Sequence, residues 1–383
     1  MTPEARLTIG FIPLVDAAAL LIAVEKGLTA ARGLQVELVR EASWANVRDK
    51  LAIGRFDAAH LLAPMAVSTS LGLGHMHAPL VAPIVIATNG NAITVSKALH
   101  GELAAFGDIR HPRDSGRALA ALVARRSAEG REPLIFGMTF PFSMHNYQLR
   151  YWMAEAGIDP DEDVRLIVVP PPAMAEHLAR GLLDGFCVGA PWSSVSVDAG
   201  VGVMLHFGSE IFSRGVEKVL AMRAGAVADD PRVAMALIEA LVEAAAFVDA
   251  PENHDEVARV LARPDRIGVD ADIIRRVLQG RLPLSKDGEE RSDAQYLVVG
   301  GPDDMRPDLR QADWILAQML RWDQARYTPA MADAARAVWR PDLFDAALDI
   351  RPQPWEVGAF AGPNLEDGDL SGYLSQFPIG RRF

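Results

Sequence analysis

A single cysteine, Cys187, is present in 383 residues. That rules out an intramolecular disulfide and any zinc or iron–sulfur site built on cysteines. Set in an apolar, strand-like run, the thiol reads as a buried, inert group. Positive charge is also in deficit: 38 Lys and Arg face 50 Asp and Glu, a net charge of −12 with histidines neutral. This balance argues against general affinity for nucleic acid or an anionic membrane, but leaves room for a small anion in a local basic pocket. Long apolar runs are missing too. The clearest, Ala78 to Ala87, falls well short of the ~20 residues that span a bilayer. The opening MTPEARLTIGFIPL lacks the basic stretch, apolar core, twin arginine and lipoprotein cysteine of export leaders. The expectation is therefore a cytoplasmic protein.

Several chemistries lack their motifs. There is no P-loop, HExxH, GxSxG or CxxC, and the dinucleotide-like Gly72-Leu-Gly74 is followed at position 77 by His, not Gly. The 9 histidines are scattered apart from His75 and His77, which follow a Gly-rich turn and read as a solvated loop. No metal or cofactor is expected. With no nucleophile–base pair in view, neither is an enzyme.

What is present is an ordinary globular composition, 50% hydrophobic and 23% charged, with length for two or three domains of roughly 150 residues. Strand and helix signals alternate through the first hundred residues. Leu7–Leu14 reads as a buried strand, with Asp16 placed to cap the helix after it and Gly27 to end that helix. Leu34–Arg40 alternates with the period of a strand, Ser43 caps a second helix closed by Gly54, and Phe56–Leu62 is a further strand. This β-α-β-α-β run implies a parallel sheet with right-handed crossovers. Residues 84–96 read as strand, turn, strand, with Asn89-Gly90 as the turn. A polar stretch from Gly107 to Arg117 reads as a lobe boundary, after which the alternation restarts, with Ser143 capping an amphipathic helix over 143–157. From Pro231 onward the pattern is mostly helical. The tail from Arg351 keeps Trp355, Phe360, Tyr373 and Phe377, which suggests packing over the body.

Five segments place hydrogen-bond donors at strand ends or helix starts: Ser43-Trp44, Asn89-Gly90-Asn91, Ser143-Met144-His145, Cys187 to Trp192, and Glu217-Lys218. In open α/β sheets ligands bind beyond the carboxyl ends of strands, where helix N-termini favour anions. Taken singly, each residue has a plainer reading. Trp44 is a core or rim aromatic, Asn91 a turn residue, His145 a surface helix residue, Gly189 a strand-end glycine and Lys218 a solvated charge.

Taken together, these segments resemble the nitrate- and bicarbonate-binding (NrtA/CmpA-like) branch of the periplasmic-binding-protein-like superfamily. The matching stretches are GFIPLVDAA (10–18), SWANVRDKLAIGRFDAAHLLAPM (43–65), TNGNAIT (88–94), TFPFSMHNYQLRYWMAEAGIDP (139–160), VVPPPAM (168–174), DGFCVGAPW (184–192), EKVLAMR (217–223) and GDLSGYLSQFPI (368–379). The resemblance implies an α/β fold of two lobes, a type 2 clamp closing on a small planar anion in an interlobe cleft. It divides the chain into 1–106 as the first part of lobe I, 107–220 as lobe II, and 221–383 as a return to lobe I with C-terminal helices and a packed tail. It also implies ligand contacts from Trp44, Asn91, His145, Gly189 and Lys218. Asn91 departs from the pattern, where a longer Gln is expected. Lys218 would supply the compensating charge, Trp44 an indole N–H or an apolar wall, Gly189 a backbone N–H, and His145 a hydrogen bond to the ligand. Trp152 is assigned to packing and Trp192 to a wall of the lobe.

Leaderless stand-alone members of the branch resemble the cytoplasmic nitrate/nitrite sensor NasS. Its partner NasT is a response-regulator-like antiterminator with an RNA-binding ANTAR domain. The implied function is anion sensing that controls such a partner, without direct nucleic-acid or membrane contact by the sensor itself. The alternative is the solute-binding component of a nitrate ABC transporter. Bicarbonate is the weaker expectation, since its binders are expected to use a carboxylate helping a calcium ion near the position of the basic Lys218.

Overall fold

Residues 5–348, 355–365 and 369–380 are described by the computed structural model; Arg351 and Gly368, where two of the tail readings begin, lie outside them. Strands β1 (Ala5–Phe11), β2 (Leu34–Arg40) and β3 (Ala58–Leu62) run parallel with β1 in the middle. Helices Ala18–Glu25 and Trp44–Ala52 provide the crossovers. Ser43 accepts a hydrogen bond from the Asn46 amide and so caps the second helix. Gly27 and Gly54 end the two helices with positive φ. Asp16 does not cap. It lies in a buried 3-10 turn, Val15–Ala17, and its carboxylate is drawn instead to the Lys218 ammonium and the His60 imidazole across the lobe.

The chain then runs through β4 (Leu80–Asn89), β5 (Asn91–Ser96), β6 (Ile135–Met138), β7 (Arg165–Val168), β8 (Gly185–Gly189), β9 (Gly202–Phe207) and β10 (Val216–Arg223). A small hairpin of β11 (Arg281–Pro283) and β12 (Glu290–Ser292), then β13 (Leu297–Val298), interrupts the C-terminal helices that the sequence pattern suggested. Two large sheets result, ordered β13-β4-β10-β3-β1-β2 and β7-β6-β8-β5-β9. Each holds parallel strands and one inner antiparallel strand next to them, β10 in the first sheet and β5 in the second.

Residues 84–96 therefore do not form a hairpin. Asn89 and Gly90 adopt the positive φ that such a pair favours, 60° and 92°, but β4 and β5 belong to different sheets. The chain passes from lobe I to lobe II at Asn89–Asn91 and returns between Phe207 and Val216. The second sheet thus begins at Asn91 rather than beyond residue 107, and β10 rejoins the first sheet before residue 220. The Gly107–Arg117 stretch leads into a lobe II helix, Pro112–Ala128. The two passages are tied together: the Asn89 amide donates to Ser213 O (2.8 Å) and Gln295 O (2.9 Å), and its Oδ1 accepts from Gly215 N (2.9 Å).

Helix Pro231–Asp249 closes the back of lobe I. Its buried residues, Ala234, Leu237, Ile238, Leu241, Ala245 and Val248, recur at helical spacing and share a core with Leu20, Leu21 and Ile22 of Ala18–Glu25. Burying each of the larger aliphatic side chains contributes about 1.5–3 kcal/mol. The tail aromatics Trp355, Tyr373 and Phe377 are buried. Phe377 lies under the Arg321 guanidinium, 3.6 Å from the ring centre, while Tyr151 of lobe II donates to Ala361 O of the tail. Trp152 is buried, its indole donating to Pro112 O, as a packing residue would. Among the described residues no helix is long and apolar enough to cross a membrane.

Gly90→Ala is expected to destabilise the protein by about 1–3 kcal/mol, since a Cβ at that φ is strained and would meet the Leu297 side chain. A lower urea midpoint with unchanged slope would show it; an unaltered midpoint would mean that the passage relaxes freely.

Candidate functional site

The antiparallel strands determine where the chemistry gathers. Because β10 runs against β3, its first residues lie at the carboxyl end of β3, with Lys218 opposite Leu62. Because β5 runs against β8, Asn91 lies opposite Gly189 at the carboxyl end of β8. Lobe I adds Asp16 from the turn after β1, Trp44 from the first position of its helix and His60 from β3. Lobe II adds Thr139 just after β6, and His145 and Gln148 from helix Met144–Ala154, which Ser143 caps through the Asn146 amide. Asp16, Trp44, His60, Asn91, His145, Gln148, Glu217 and Lys218 are all buried.

Lys218 is the centre. Its Nζ lies 2.7 Å from Asp16 Oδ2, 2.8 Å from Glu217 Oε1 and 5.4 Å from the Trp44 ring centre. Neighbours on a regular strand point to opposite faces, so Glu217 and Lys218 should part. The β10–β4 register shifts on either side of Lys218, and that irregularity lets both side chains reach one cleft. The Ile12 amide approaches His60 Nδ1 at 3.5 Å, and His60 Nε2 stands 2.9 Å from Asp16 Oδ1. Nδ1 is thus the acceptor and Nε2 the donor.

From lobe II, the Asn91 amide donates to Glu217 Oε2 (2.7 Å) and to Gln148 Oε1 (3.0 Å). Its shorter reach is spent on protein groups. His145 Nδ1 is 3.1 Å from Thr139 Oγ1 and 3.6 Å from Glu217 Oε1. A Cβ on Gly189 would lie 3.4 Å from Asp16 Oδ2 and 3.5 Å from Asn91 Oδ1, so the bare strand end lets the lobes approach closely. The Trp192 indole, placed by sequence in the lobe wall, donates to Pro13 O across the cleft at 3.1 Å.

The charges settle unevenly. Burial alone would weaken the Lys218 ammonium, but Asp16 and Glu217 outweigh it and hold Lys218 more firmly protonated than usual. Burial opposes ionisation of Asp16 as well, yet Lys218 and His60 together lower its pKa to about 2. Burial, reinforced by the charge of Asp16, raises the Glu217 pKa despite Lys218. His145 is pushed well below the ordinary histidine range by burial and then by Lys218, and burial also lowers His60 against the pull of Asp16. Both imidazoles are neutral at neutral pH. Cys187 is buried beside Gln148 with its thiol pKa driven well up by burial, as an inert thiol should be.

The five residues singled out in the sequence, Trp44, Asn91, His145, Gly189 and Lys218, thus meet in one buried network. Sequence reasoning missed Asp16 as a site residue, along with His60 and Gln148, and named Glu217 only as a neighbour of Lys218. The available signal was a lone acid inside LVDAAALLIAV and a lone imidazole inside AAHLLA, each a polar group in an otherwise buried run. Lys218 differs from the expectation in one respect: its charge is already shared between two carboxylates. Apart from the ion-paired atoms of Asp16 and His60, the buried Trp44 Nε1, His145 Nε2 and Asn91 Oδ1 have no hydrogen-bond partner among the described residues. Such atoms are costly unless something bonds them. No group of three or more His, Cys, Asp or Glu side chains placed to hold a metal occurs among the described residues.

Asp16→Asn is expected to cost about 3–5 kcal/mol, because it breaks a buried ion pair from one side. With the Asp16 pKa lowered to about 2, that stabilisation is complete above the ordinary Asp range and is lost only as pH falls toward 2. Urea denaturation should show the same deficit from about pH 5 to about pH 8 and a smaller one in stronger acid. A deficit that grew on acidification would contradict the pairing.

Comparison with known proteins places this geometry. Residues 1–262 match the NMT1-like family. The chain is 34% identical to the nitrate import ATP-binding protein NrtC of Synechocystis sp., over 99% of its own length but 56% of that protein, so it spans about half of this longer relative. It is 32% identical to the nitrate/nitrite binding protein NrtA of Nostoc sp., covering 95% of this chain and 81% of the relative. The crystal structure of the periplasmic nitrate-binding protein NrtA from Synechocystis superposes with a TM-score of 0.89 at 27% identity, covering 99% of both chains. A two-lobed α/β clamp with a buried polar cleft, alike in sequence and shape to these proteins, belongs to the NMT1-like family, among the relatives of the nitrate- and bicarbonate-binding proteins.

Proposed function

We propose that this protein binds nitrate or nitrite in the interlobe cleft and acts as a cytoplasmic sensor, controlling a NasT-type ANTAR antiterminator of nitrate-assimilation genes. The observation that carries the anion reading is the buried cluster of donors between the lobes. One firmly protonated ammonium, an indole N–H and a neutral imidazole converge there from both lobes, and Trp44 Nε1 and His145 Nε2 have no protein partner among the described residues. Nitrate offers three equivalent, weakly accepting oxygens in a plane, which suits several donors of this kind. Relatives named for nitrate binding share the clamp.

Binding a ligand between lobes favours the closed state, and a partner that prefers the open state is then released. The net charge of −12 suits a sensor that works through a protein and leaves RNA to that partner. Likeness to most of the length of NrtA favours a second reading, the solute-binding component of a nitrate importer.

Magnitudes bound the affinity. Four heavy atoms at a ceiling of about −1.5 kcal/mol each give roughly −6 kcal/mol, a Kd on the order of tens of micromolar. One ionised carboxylate at ~4 Å from the anion would cost about 4 kcal/mol at an effective dielectric of about 20, so the carboxylates beside Lys218 weigh heavily on binding.

Calorimetry with nitrate, nitrite, bicarbonate and chloride should show nitrate binding near that affinity and nitrite, with one heavy atom fewer, roughly tenfold more weakly. Lys218→Ala and His145→Ala should each weaken binding tenfold or more, by about 1.4 kcal/mol at least. No heat from nitrate or nitrite below about a millimolar would end the anion reading. On a sizing column the sensor should co-elute with a NasT-type protein without nitrate and separate with it. Separate elution in both conditions would favour the importer reading.

A further inference from the structure

Glu217 is the group the anion reading leaves unexplained. It is 1% exposed, and its carboxylate touches side chains of both lobes. Lys218 lies 2.8 Å away, and from lobe II the Asn91 amide donates at 2.7 Å while His145 Nδ1 stands at 3.6 Å. On the far side of Lys218, Asp16 sits at 2.7 Å and is itself held by His60 at 2.9 Å. With both imidazoles neutral, the cleft contains one positive charge and two carboxyl groups. A monoanion entering it would put three negative charges around one ammonium.

Neutralising one carboxyl relieves that excess. Asp16 is the wrong candidate, since Lys218 and His60 both favour its ionised form. Among the described residues Glu217 has Lys218 as its cationic neighbour and shares it with Asp16. The other titratable groups facing it are Asp16 from the turn after β1, His145 from the Met144–Ala154 helix and the thiol of Cys187 from β8; of these, Asp16 pushes its proton affinity upward. A second negative charge in the cleft acts in the same direction.

We propose that the cleft takes up its anion together with one proton, and that Glu217 carries it. Protonated, Glu217 presents an O–H donor where it otherwise presents charge. The bound unit is then the anion plus a neutral carboxylic acid, braced by Lys218 and Asp16. Nitrate is the informative ligand, because it is the base of a strong acid and cannot hold the proton itself. The inference rests on the anion-binding reading above.

The test is calorimetry of nitrate binding to the full chain in two cationic buffers of different ionisation enthalpy, Tris and bis-Tris, over about pH 6.5 to about pH 8.5. The wild type should take up close to one proton per nitrate at the alkaline end, with affinity falling toward tenfold per pH unit. Glu217→Gln, checked for folding by circular dichroism, should bind nitrate with no proton uptake and a flat pH profile. Wild-type binding without proton uptake would overturn the proposal. So would uptake that persists in E217Q, which would place the proton elsewhere, or loss of nitrate binding by folded E217Q, which would show that the ionised carboxylate is required. Should E217Q fail to fold, infrared difference spectra of the wild type with and without nitrate decide: conversion of a carboxylate band into a carboxylic-acid carbonyl band is expected, and proton uptake without it would overturn the proposal. Failure of the wild type to bind nitrate at any pH would instead remove the anion reading itself.

Discussion

A lysine ammonium buried between two lobes, with a carboxylate on either side, organises the molecule. Lys218 cannot stay charged in a dry interior without its carboxylate partners, and Asp16 cannot stay ionised there without Lys218. Asp16 reaches it from the first β–α connection and Glu217 from a strand laid down some two hundred residues later in the sequence. The pair therefore ties the beginning of lobe I to its late-added strand. Lobe II joins through Asn91 and His145, whose contacts run to Glu217. The cleft is thus already organised by protein charges that any ligand must share.

The fold explains why these residues share an edge. Parallel strands deliver their carboxyl ends to the cleft, and in each sheet an antiparallel strand delivers its amino end to the same place. Lys218 and Asn91 enter by that second route. Helix starts at Trp44 and Met144 complete the ring of donors. The same topology makes Gly189 a point of near contact, where any side chain would press on Asp16 and Asn91.

The architecture was readable in the sequence wherever local chemistry agreed with tertiary placement. Ser43 and Ser143 cap the helices their positions promised, and Gly27 and Gly54 end theirs. The residues carried over by family resemblance, Trp44, Asn91, His145, Gly189 and Lys218, do gather. What could not be read was any feature set by distant partners. Asp16 looks like a helix cap because capping is a local option, but the pull of Lys218 and His60 overrides it. Asn89-Gly90 looks like a hairpin turn because its backbone preference is that of a turn; whether the next strand folds back or enters another sheet depends on β8 and β9, a hundred residues away. Glu217 beside Lys218 looks like two faces of a strand until the register shift brings them together.

The paired passages between the lobes have a consequence for modularity. Lobe II leaves lobe I at Asn89 and returns at Gly215, and those two residues are hydrogen-bonded to each other. Its strands form one unbroken stretch whose two ends lie side by side. Such a unit is spliced into its host like a cassette, since removing or exchanging it leaves a gap that a short link can close. Lobe I, by contrast, is assembled from both sides of the splice and cannot be lifted out as one piece. Half of the cleft, with Asn91, His145 and Gly189, therefore comes from one continuous stretch of chain, while the half that fixes the buried charge is assembled from both sides of the splice.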